Sequence, residues 1–414
     1  MKALSVERNT RRFAAAKLMS YASTKKAVEY GPLSLVEIDP PRLPTDEWIR
    51  LRTRLAGICG SDLASLTLRT SRYFEPITAF PLTPGHEIVA EIERAEGTTR
   101  YVIEPALTCV PRGRPLCRFC SDGMSQLCES ITEGTIDEGI QLGYCSSTGG
   151  GWAQEFVAHS SQLWAVPSAL TDEDAVMIEP LACAIHVALQ LDLTNAGSVG
   201  IIGAGTVGLT TLSVLRQLYP DLTIVIGARH AAQRNAAQRL GASHVVKPEE
   251  LNRVGRRLSG AMVKGDWQSH GFDVIFDCIA SADSLHDALV SVRPRGSIVL
   301  AGMPAKTTVD LAPLWHQEIH LLGSYAYGEE ELNATQMQRL GVANKRVNDD
   351  QVQRVRTFEI ALALMSKLHL GWMVTHTYPL DNYLEAIERA SAAGRLDALK
   401  VAFDLRRSGN ERKQ

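Results

Sequence analysis

The sequence of 414 residues lacks long apolar runs, although 45% of its residues are hydrophobic. No stretch reaches the roughly 20 apolar residues that a membrane-spanning helix requires. The first 20 residues have no apolar core segment, so we expect no secretory signal. A net charge of −3 and a pI of about 6.4 give no reason to expect nucleic acid or an anionic membrane as a partner.

The eight cysteines lack the spacing of a disulfide framework, because four of them fall between positions 109 and 128. Cys117 and Cys120 are three positions apart, which lets two thiolates face one Zn²⁺. Cys109 and Cys128 can complete a closed, structural tetrahedron. An iron–sulfur cluster needs similar ligands and stays an alternative. Clustered thiols favour a reducing compartment, so we expect a cytoplasmic protein.

A second group of metal-binding residue types begins in the stretch from Gly57 to Asp62. Cys59 offers a thiolate, Ser61 a hydroxyl that can carry a proton, and Asp62 a carboxylate that can orient a histidine ligand. In the motif Pro84-Gly85-His86-Glu87, the histidine comes 27 residues after Cys59. A cysteine and a histidine make half of a zinc shell, and an ordinary polar pair is the alternative for His86 and Glu87.

Glu179 stands between apolar residues at the start of a predicted helix. The simplest role for a carboxylate at that place is to stabilise the helix N-terminus electrostatically.

The pattern of apolar residues predicts two kinds of structure. Short alternating runs such as Leu33–Ile38, Trp48–Ala56 and Ile88–Ile92 are typical of half-buried antiparallel strands and predict a β-rich region over roughly the first 180 residues. From about Ala182 the chain alternates buried strands with helices, as α/β proteins with a parallel sheet do. A polar stretch, Glu329–Arg356, is predicted to be helical.

A dinucleotide fingerprint follows the buried strand Ser198–Ile202. In Gly203-Ala204-Gly205-Thr206-Val207-Gly208 the first glycine makes a tight turn, the second lets the backbone approach a pyrophosphate, and the third allows close helix packing. The start of the next helix, which includes Thr206 and Val207, then supplies amides and dipole for the phosphates.

The sequence has no acid where an NAD-binding protein usually reads the ribose. The second strand ends in Ile226-Gly227-Ala228-Arg229-His230. A guanidinium without the carboxylate favours a 2′-phosphate, so Arg229 predicts NADP(H) over NAD(H). The alternative is a solvated Arg229 with NAD(H) bound. Gly302, Met303 and Tyr325 come at or after the ends of two later strands, where ligands of open α/β sheets bind.

Five motifs, taken together, resemble those of the zinc-containing medium-chain dehydrogenase/reductase family. They are Gly-Ile-Cys-Gly-Ser-Asp, Gly-His-Glu, the four-cysteine segment, Ile-Glu-Pro-Leu and Gly-Ala-Gly-Thr-Val-Gly. The likeness is greatest to its threonine and polyol dehydrogenase branch, because that branch has a carboxylate zinc ligand at the position of Glu179. The resemblance implies an α/β fold: a GroES-like catalytic domain with a zinc lobe (1–181), a Rossmann domain (182–326) and a return to the catalytic domain (327–414).

The resemblance also assigns roles to residues. Cys59, His86 and Glu179 correspond to catalytic zinc ligands, and Glu87 to a neighbouring carboxylate that binds the metal directly, through water or transiently. Ser61 matches the proton-relay hydroxyl, Asp62 the partner of the zinc-bound histidine, and Lys400 a basic position near the pyrophosphate. The four cysteines match the structural zinc lobe. A homo-oligomer, dimer or tetramer, is also implied.

Three features depart from the family pattern. Seven residues, Val110–Leu116, separate Cys109 from Cys117 where the family usually has two, so the insert is predicted to loop out. Ala64 stands where a relay histidine is often found, so the proton must leave Ser61 by another route. The segment between His86 and Cys109 lacks the usual Gly-Asp-Arg-Val turn.

The sequence therefore predicts a zinc-dependent oxidoreductase that moves a hydride between NADP(H) or NAD(H) and a small alcohol or carbonyl compound. Two alternatives remain. One is a zinc-independent reductase of an activated double bond on the same fold. The other is a non-redox protein that binds the dinucleotide as a structural group or a signal.

Overall fold

The structure, a computed structural model, describes residues 1–95, 97–343 and 352–406. The strands are β1 (Lys2–Val6), β2 (Leu33–Glu37), β3 (Trp48–Gly57), β4 (Ile88–Arg94), β5 (Gly97–Ile103), β6 (Glu155–His159), β7 (Leu163–Ala165), β8 (Ser198–Ile202), β9 (Thr223–Gly227), β10 (His244–Val246), β11 (Val263–Lys264), β12 (Trp267–Gln268), β13 (Phe272–Asp277), β14 (Val292–Leu300), β15 (His320–Gly323), β16 (Glu329–Leu332), β17 (Gln353–Arg356), β18 (Val374–Tyr378) and β19 (Lys400–Asp404).

The α-helices are α1 (Thr10–Met19), α2 (Thr24–Glu29), α3 (Gly60–Leu66), α4 (Arg118–Ser121), α5 (Asp172–Val176), α6 (Ile178–Ala188), α7 (Thr206–Leu218), α8 (Ala231–Arg239), α9 (Leu251–Ser259), α10 (Ala282–Ser291), α11 (Ala312–His316), α12 (Ala334–Leu340), α13 (Thr357–Leu368) and α14 (Tyr383–Ser391). Among the described residues, no helix is long and apolar enough to cross a membrane.

Packing divides the chain into two units, Met1–Glu179 with Ala361–Gln414, and Pro180–Ile360. The first unit is built on a seven-stranded sheet in the order β18-β19-β3-β4-β5-β7, with β6 also paired to β3. The predicted β-rich domain is confirmed. The last strand, β19, lies antiparallel to β3, which ends two residues before Cys59. The end of the chain is thereby brought to the candidate zinc ligands.

The N-terminus adds a part that the sequence pattern did not indicate. β1 pairs antiparallel with β2, and Leu4 and Val6 lie in the core with Trp152 and Phe403. Helices α1 and α2, between these strands, pack on each other, and α2 packs on α14.

A network of arginines and acids joins several elements of the first unit around Asp172. The buried Asp172 carboxylate accepts hydrogen bonds from Arg54 and Arg100, each with a shortest distance of 2.8 Å, and Arg406 lies 3.5 Å away. Burial alone would raise the pKa of Asp172, but the guanidinium groups of Arg54 and Arg100 outweigh it and lower the pKa. The charged form is therefore the one that stabilises the fold.

We expect Asp172→Asn to lower the free energy of unfolding by about 3–5 kcal/mol at neutral pH, because Arg100 loses its carboxylate partner and Arg54 keeps only that of Glu91. The pKa of Asp172 is lower in the folded protein, so its contribution is present above about pH 4 and is lost as pH falls through the folded value. Urea unfolding of the wild type and the variant over a range of pH tests this prediction. The difference between their free energies of unfolding should become smaller in acid. Asp381→Asn is the control, because the Lys2–Asp381 pair is largely exposed. Equal losses in the two variants would contradict the prediction.

The second unit contains a six-stranded parallel sheet in the order β10-β9-β8-β13-β14-β15. In chain order these strands are 3-2-1-4-5-6, the doubly wound arrangement that binds dinucleotides where the strand order reverses. The predicted Rossmann-type sheet is confirmed. This unit extends to Ile360, beyond residue 326 where the sequence predicts the nucleotide domain to end.

The predicted helix over Glu329–Arg356 is wrong at both ends. β16 and β17 form an antiparallel pair there, and of the described residues between them only those of α12 are helical. Residues 344–351 of that prediction lie outside the described residues.

Candidate metal and dinucleotide sites

The first group of donor atoms lies at the end of β3 and the start of α3. Cys59 is the N-terminal cap of α3, and its backbone N–H donates to Asp62 Oδ2 at 2.9 Å. Asp62 Oδ1 lies 3.4 Å from His86 Nδ1, and both side chains are buried. With Nδ1 turned to Asp62, Nε2 is the nitrogen that can bind a metal. The structure places Asp62 beside His86, and its role in orienting a zinc-bound histidine stays a prediction.

Within the part of the chain that the structure describes, Cys59, His86 and Glu87 bring their donor atoms within 4.8 Å of one another. Thiolate, imidazole and carboxylate are the ligand types of zinc sites. The chemistry of this donor set fits a zinc ion.

Glu179 is outside that three-residue group, although it is buried and lies second in α6. Its negative charge nevertheless acts on the Lys400 ammonium. Its role as a zinc ligand stays a prediction.

Lys400, at the first position of β19, is buried and forms an ion pair with Glu87 Oε2. Its ammonium also donates to the backbone carbonyl of Ile58 at 3.3 Å. Burial lowers the pKa of Lys400, but Glu87, Cys59 and Glu179 outweigh it and raise the pKa. The structure thus places this cation among the zinc-ligand candidates, and its predicted contact with the pyrophosphate stays a prediction.

Gly57 is required where Glu87 and Lys400 meet. A Cβ atom on this residue would lie 1.8 Å from Glu87 Oε2 and 2.9 Å from Lys400 Cε. Behind it, the fully buried Trp152 donates from Nε1 to the carbonyl of Gly57 at 3.1 Å. The same indole lies against Gly85, where a Cβ would be 2.4 Å from Trp152 Cδ1. Trp152 therefore fixes both ligand-bearing segments from within the core.

The charges of this group affect one another. Burial lowers the pKa of His86, but Asp62 and Cys59 outweigh it and raise the pKa well above its usual value. Burial, with the negative charges of Asp62 and Cys59, raises the pKa of Tyr144 to about 12. The pKa of Tyr144 therefore keeps its phenol neutral at physiological pH.

Two side chains beside the group were missed by sequence analysis. The Tyr144 ring lies 6.2 Å from the His86 ring, centroid to centroid, and its hydroxyl lies 3.4 Å from Ser65 Oγ. Ser65 could have been found, because it is four residues after Ser61 and shares its helix face. Tyr144 carries no local signal, since it is brought there by a loop 58 residues further along the chain than His86.

The four cysteines of the second group, Cys109, Cys117, Cys120 and Cys128, also bring their sulfur atoms within 4.8 Å of one another. Cys109 Sγ and Cys128 Sγ are 3.5 Å apart. A tetrahedral zinc with Zn–S bonds of 2.3 Å separates its sulfurs by about 3.8 Å, so the cluster fits zinc. Hydrogen bonding from Cys120 lowers the pKa of Cys128 to about 5, which favours the thiolate that a metal needs.

The insert Val110–Leu116 has an exposed stretch from Gly113 to Leu116, as a looped-out segment would. Arg112, however, is fully buried, which the prediction did not include. Its guanidinium donates to the backbone carbonyls of five residues at 2.7–3.3 Å: Leu107, Glu133, Ile136, Asp137 and Gly139. The insert is therefore a packed part of the lobe, and it keeps Cys109 within the cluster.

In the second unit the fingerprint has the predicted geometry. Gly203 has φ +97°, and a Cβ there would lie 2.6 Å from the Ile279 side chain. Gly208 packs so closely that a Cβ would lie 1.9 Å from the Gly203 carbonyl oxygen. Gly205 caps α7 with open space on its Cβ side, so a phosphate can approach the amides of Thr206 and Val207. These residues fit a dinucleotide.

The remaining predicted cofactor residues lie after the carboxyl ends of the strands. Arg229 is exposed two residues after β9, and Arg234 donates to its carbonyl oxygen at 2.6 Å. Gly302 donates its N–H to the carbonyl of Asp277 at 3.0 Å. Met303 follows it with a partly exposed side chain, and Tyr325 is likewise exposed after β15. All four positions are open to a ligand at this edge.

Comparison with known proteins gives matches across most of the chain. The family described as "Alcohol dehydrogenase GroES-like domain" matches residues 45–168, and that described as "Zinc-binding dehydrogenase" matches residues 193–340. The chain is 25% identical over 381 residues to D-arabinitol dehydrogenase 1 of Uromyces fabae, covering 89% of this chain and 93% of the relative. It is 25% identical over 359 residues to sorbitol dehydrogenase of Bacillus subtilis (strain 168), covering 84% and 88%.

Among solved structures, a short chain alcohol dehydrogenase from Escherichia coli CFT073 complexed with NADH superposes with a TM-score of 0.68. The identity is 21%, and the match covers 98% of this chain and 99% of that one. This similarity supports the two-part fold.

Proposed function

This chain belongs to the zinc-binding alcohol dehydrogenase family, in its polyol dehydrogenase-like branch, and on that premise we propose that it acts on a polyol or a related secondary alcohol. It is an oxidoreductase that transfers hydride between a nicotinamide dinucleotide and an alcohol or carbonyl compound. The observation that carries the proposal is the convergence of Cys59, His86 and Glu87, with Ser61 on the adjoining helix. The names of the two relatives support the substrate class.

We assign roles to the chain's own residues. Cys59 and His86 would hold the catalytic zinc, with Glu179 and Glu87 as its carboxylate ligands. When bound, zinc supplies a Lewis acid that polarises the substrate oxygen. Asp62 orients the His86 ring. Ser61 Oγ accepts the proton of the alcohol during oxidation while its own hydroxyl proton passes on towards solvent. Lys400 neutralises part of the acidic charge around Glu87.

We propose that the lobe formed by Cys109, Cys117, Cys120 and Cys128 binds a second, structural zinc. A site of four thiolates has no open position for substrate. Its ligands must be reduced, which fits the cytoplasmic location that the cysteine pattern predicts. Metal analysis of the purified protein should give two zinc ions per chain.

The family resemblance also implies a dimer or a tetramer. Light scattering of the purified protein tests this oligomeric state.

The decisive experiment is a panel of polyols, simple alcohols and their carbonyl counterparts, assayed with NAD(H) and NADP(H) in separate reactions. Oxidation of a polyol or secondary alcohol by the zinc-loaded protein is the expected result. Activity on activated double bonds alone, with zinc only in the lobe, would instead identify a zinc-independent reductase. Tight cofactor binding without any change in nicotinamide absorbance across the panel would identify a non-redox protein.

We further propose a preference for NADP(H), carried by Arg229 with Arg234 beside it. Arg229 follows β9 by two residues, and the guanidinium of Arg234 on α8 reaches its carbonyl oxygen, so the two cations can bind a 2′-phosphate, which the ribose of NAD(H) lacks. A carboxylate at this position would accept a hydrogen bond from the 2′-OH of NAD(H) and would repel the 2′-phosphate of NADP(H).

Arg229→Asp is therefore expected to lower the ratio of kcat/KM for NADP(H) over NAD(H) by about 100-fold. The loss of a charge-assisted hydrogen bond is worth about 1.5–3 kcal/mol, and each 1.36 kcal/mol is tenfold. Steady-state kinetics with both cofactors measures the ratio. Arg257→Asp, an exposed change on α9, is the control and should leave it as in the wild type. A wild-type preference for NAD(H) would refute the role of Arg229.

A further inference from the structure

Three hydroxyl groups lie beside the candidate zinc ligands. Ser61 and Ser65 are four residues apart on α3, so they share one face of the helix, with Cβ atoms about 5–6 Å apart. Tyr144 adds the third hydroxyl, 3.4 Å from Ser65 Oγ. All three residues are partly exposed, whereas Asp62, His86 and Glu87 behind them are buried. These three residues are therefore more exposed than the two acids and the histidine behind them.

The backbone at Tyr144 is held close to the segment that carries His86. The carbonyl oxygen of Tyr144 accepts a hydrogen bond from Ala79 N–H at 3.1 Å, and its own N–H donates to the Gln141 carbonyl at 3.1 Å. The preceding residue, Gly143, lies so close to Gly85 that a Cβ would be 3.1 Å from the Gly85 nitrogen. Gly85 is directly before His86, so the main chain fixes the point from which the Tyr144 ring reaches the His86 ring.

The contact between Ser65 and Tyr144 is longer than an ordinary bond between hydroxyls. Their oxygens are 3.4 Å apart, whereas such bonds are usually about 2.7–2.8 Å. Each group can both donate and accept, so together they can bind a further hydroxyl without leaving a buried partner unsatisfied. Ser61 is already assigned to the reacting hydroxyl of the substrate.

We propose that Ser65 and Tyr144 form a subsite for a second hydroxyl of the substrate, so that this chain selects diols and longer polyols over simple alcohols. The subsite rests on the proposed function, because the first hydroxyl is the one oxidised at the zinc. It deepens that function by naming the residues of this chain that recognise the substrate class. A simple alcohol has no second hydroxyl and therefore forms no such hydrogen bond with Ser65 or Tyr144.

The test compares 2,3-butanediol with 2-butanol, which differ by one hydroxyl, in the full-length zinc-loaded enzyme. Tyr144→Phe removes the hydroxyl and keeps the ring, and Ser65→Ala removes the other. For each variant the ratio of kcat/KM for the diol over the simple alcohol should fall about 10- to 100-fold, mainly through KM of the diol. Tyr21→Phe is the matched control, because Tyr21 is 82% exposed on the surface. It should keep the wild-type ratio.

A binding measurement separates this inference from the proposed function. Xylitol is titrated calorimetrically into each protein saturated with reduced cofactor, and zinc content and Tm are recorded for each variant. Weaker xylitol binding by Tyr144→Phe and Ser65→Ala, at unchanged zinc content, supports the subsite. Equal losses for both alcohols, an unchanged ratio, or unchanged xylitol binding would overturn it. Xylitol binding that depends on Tyr144 in a protein that oxidises no alcohol would instead refute the proposed function alone.

Discussion

Cys59→Ala is expected to lower kcat/KM for alcohol oxidation by at least about 1,000-fold. The thiolate stands at the N-terminal cap of α3, within reach of His86 and Glu87, and Cys59 is the one cysteine of that group among the described residues. Loss of a Lewis acid removes several kcal/mol of stabilisation from the developing charge on the substrate oxygen, and each 1.36 kcal/mol is a factor of ten.

Metal analysis gives this experiment its second readout. The variant should retain the zinc of the four-cysteine lobe and lose the catalytic one, so its zinc content should fall from two to one per chain. Cys183→Ala is the control, because Cys183 lies outside both cysteine groups. If the variant turned over substrate normally with only one zinc bound, the zinc-dependent mechanism would be wrong and the double-bond reductase would be favoured.

Arg112→Ala is expected to produce the largest loss of stability, more than about 4 kcal/mol in the free energy of unfolding. Five backbone carbonyls lose their donor, and each buried group left unpaired costs about 1–3 kcal/mol even though relaxation recovers part of the total. A loss above 4 kcal/mol is exceptional for one substitution.

Urea unfolding and the zinc content of the lobe measure this effect. Arg112→Lys should fall between the wild type and Arg112→Ala, because one ammonium has three donors and lacks the planar fork of a guanidinium. Arg114→Ala on the same insert is the control, since the Arg114–Glu133 ion pair is about half exposed and such pairs contribute about 0–1 kcal/mol. Arg112→Ala behaving like Arg114→Ala would show that the insert is dispensable.

The same two residues illustrate the difference between what could and could not be predicted. Cys59 was identified from a short segment, because the chemistry of a thiolate near a hydroxyl and a carboxylate is visible in consecutive residues. Arg112 was predicted to lie in an exposed loop, because arginine is rarely buried and a seven-residue insert is usually accommodated at the surface. Its burial depends on carbonyls up to 27 residues away, which no local pattern describes.

The sequence by itself indicated the two kinds of domain, the cluster of four cysteines, the segment that contains Cys59 and Asp62, and the glycine fingerprint. These features depend on periodicity and on ligand types at short spacing, and both are properties of neighbouring residues. The tertiary structure alone decided that Lys400 pairs with Glu87, that Tyr144 lies beside His86, and that Trp152 supports both ligand segments. Each of these contacts joins residues more than 50 positions apart, where the position of a side chain depends on how whole strands and loops pack.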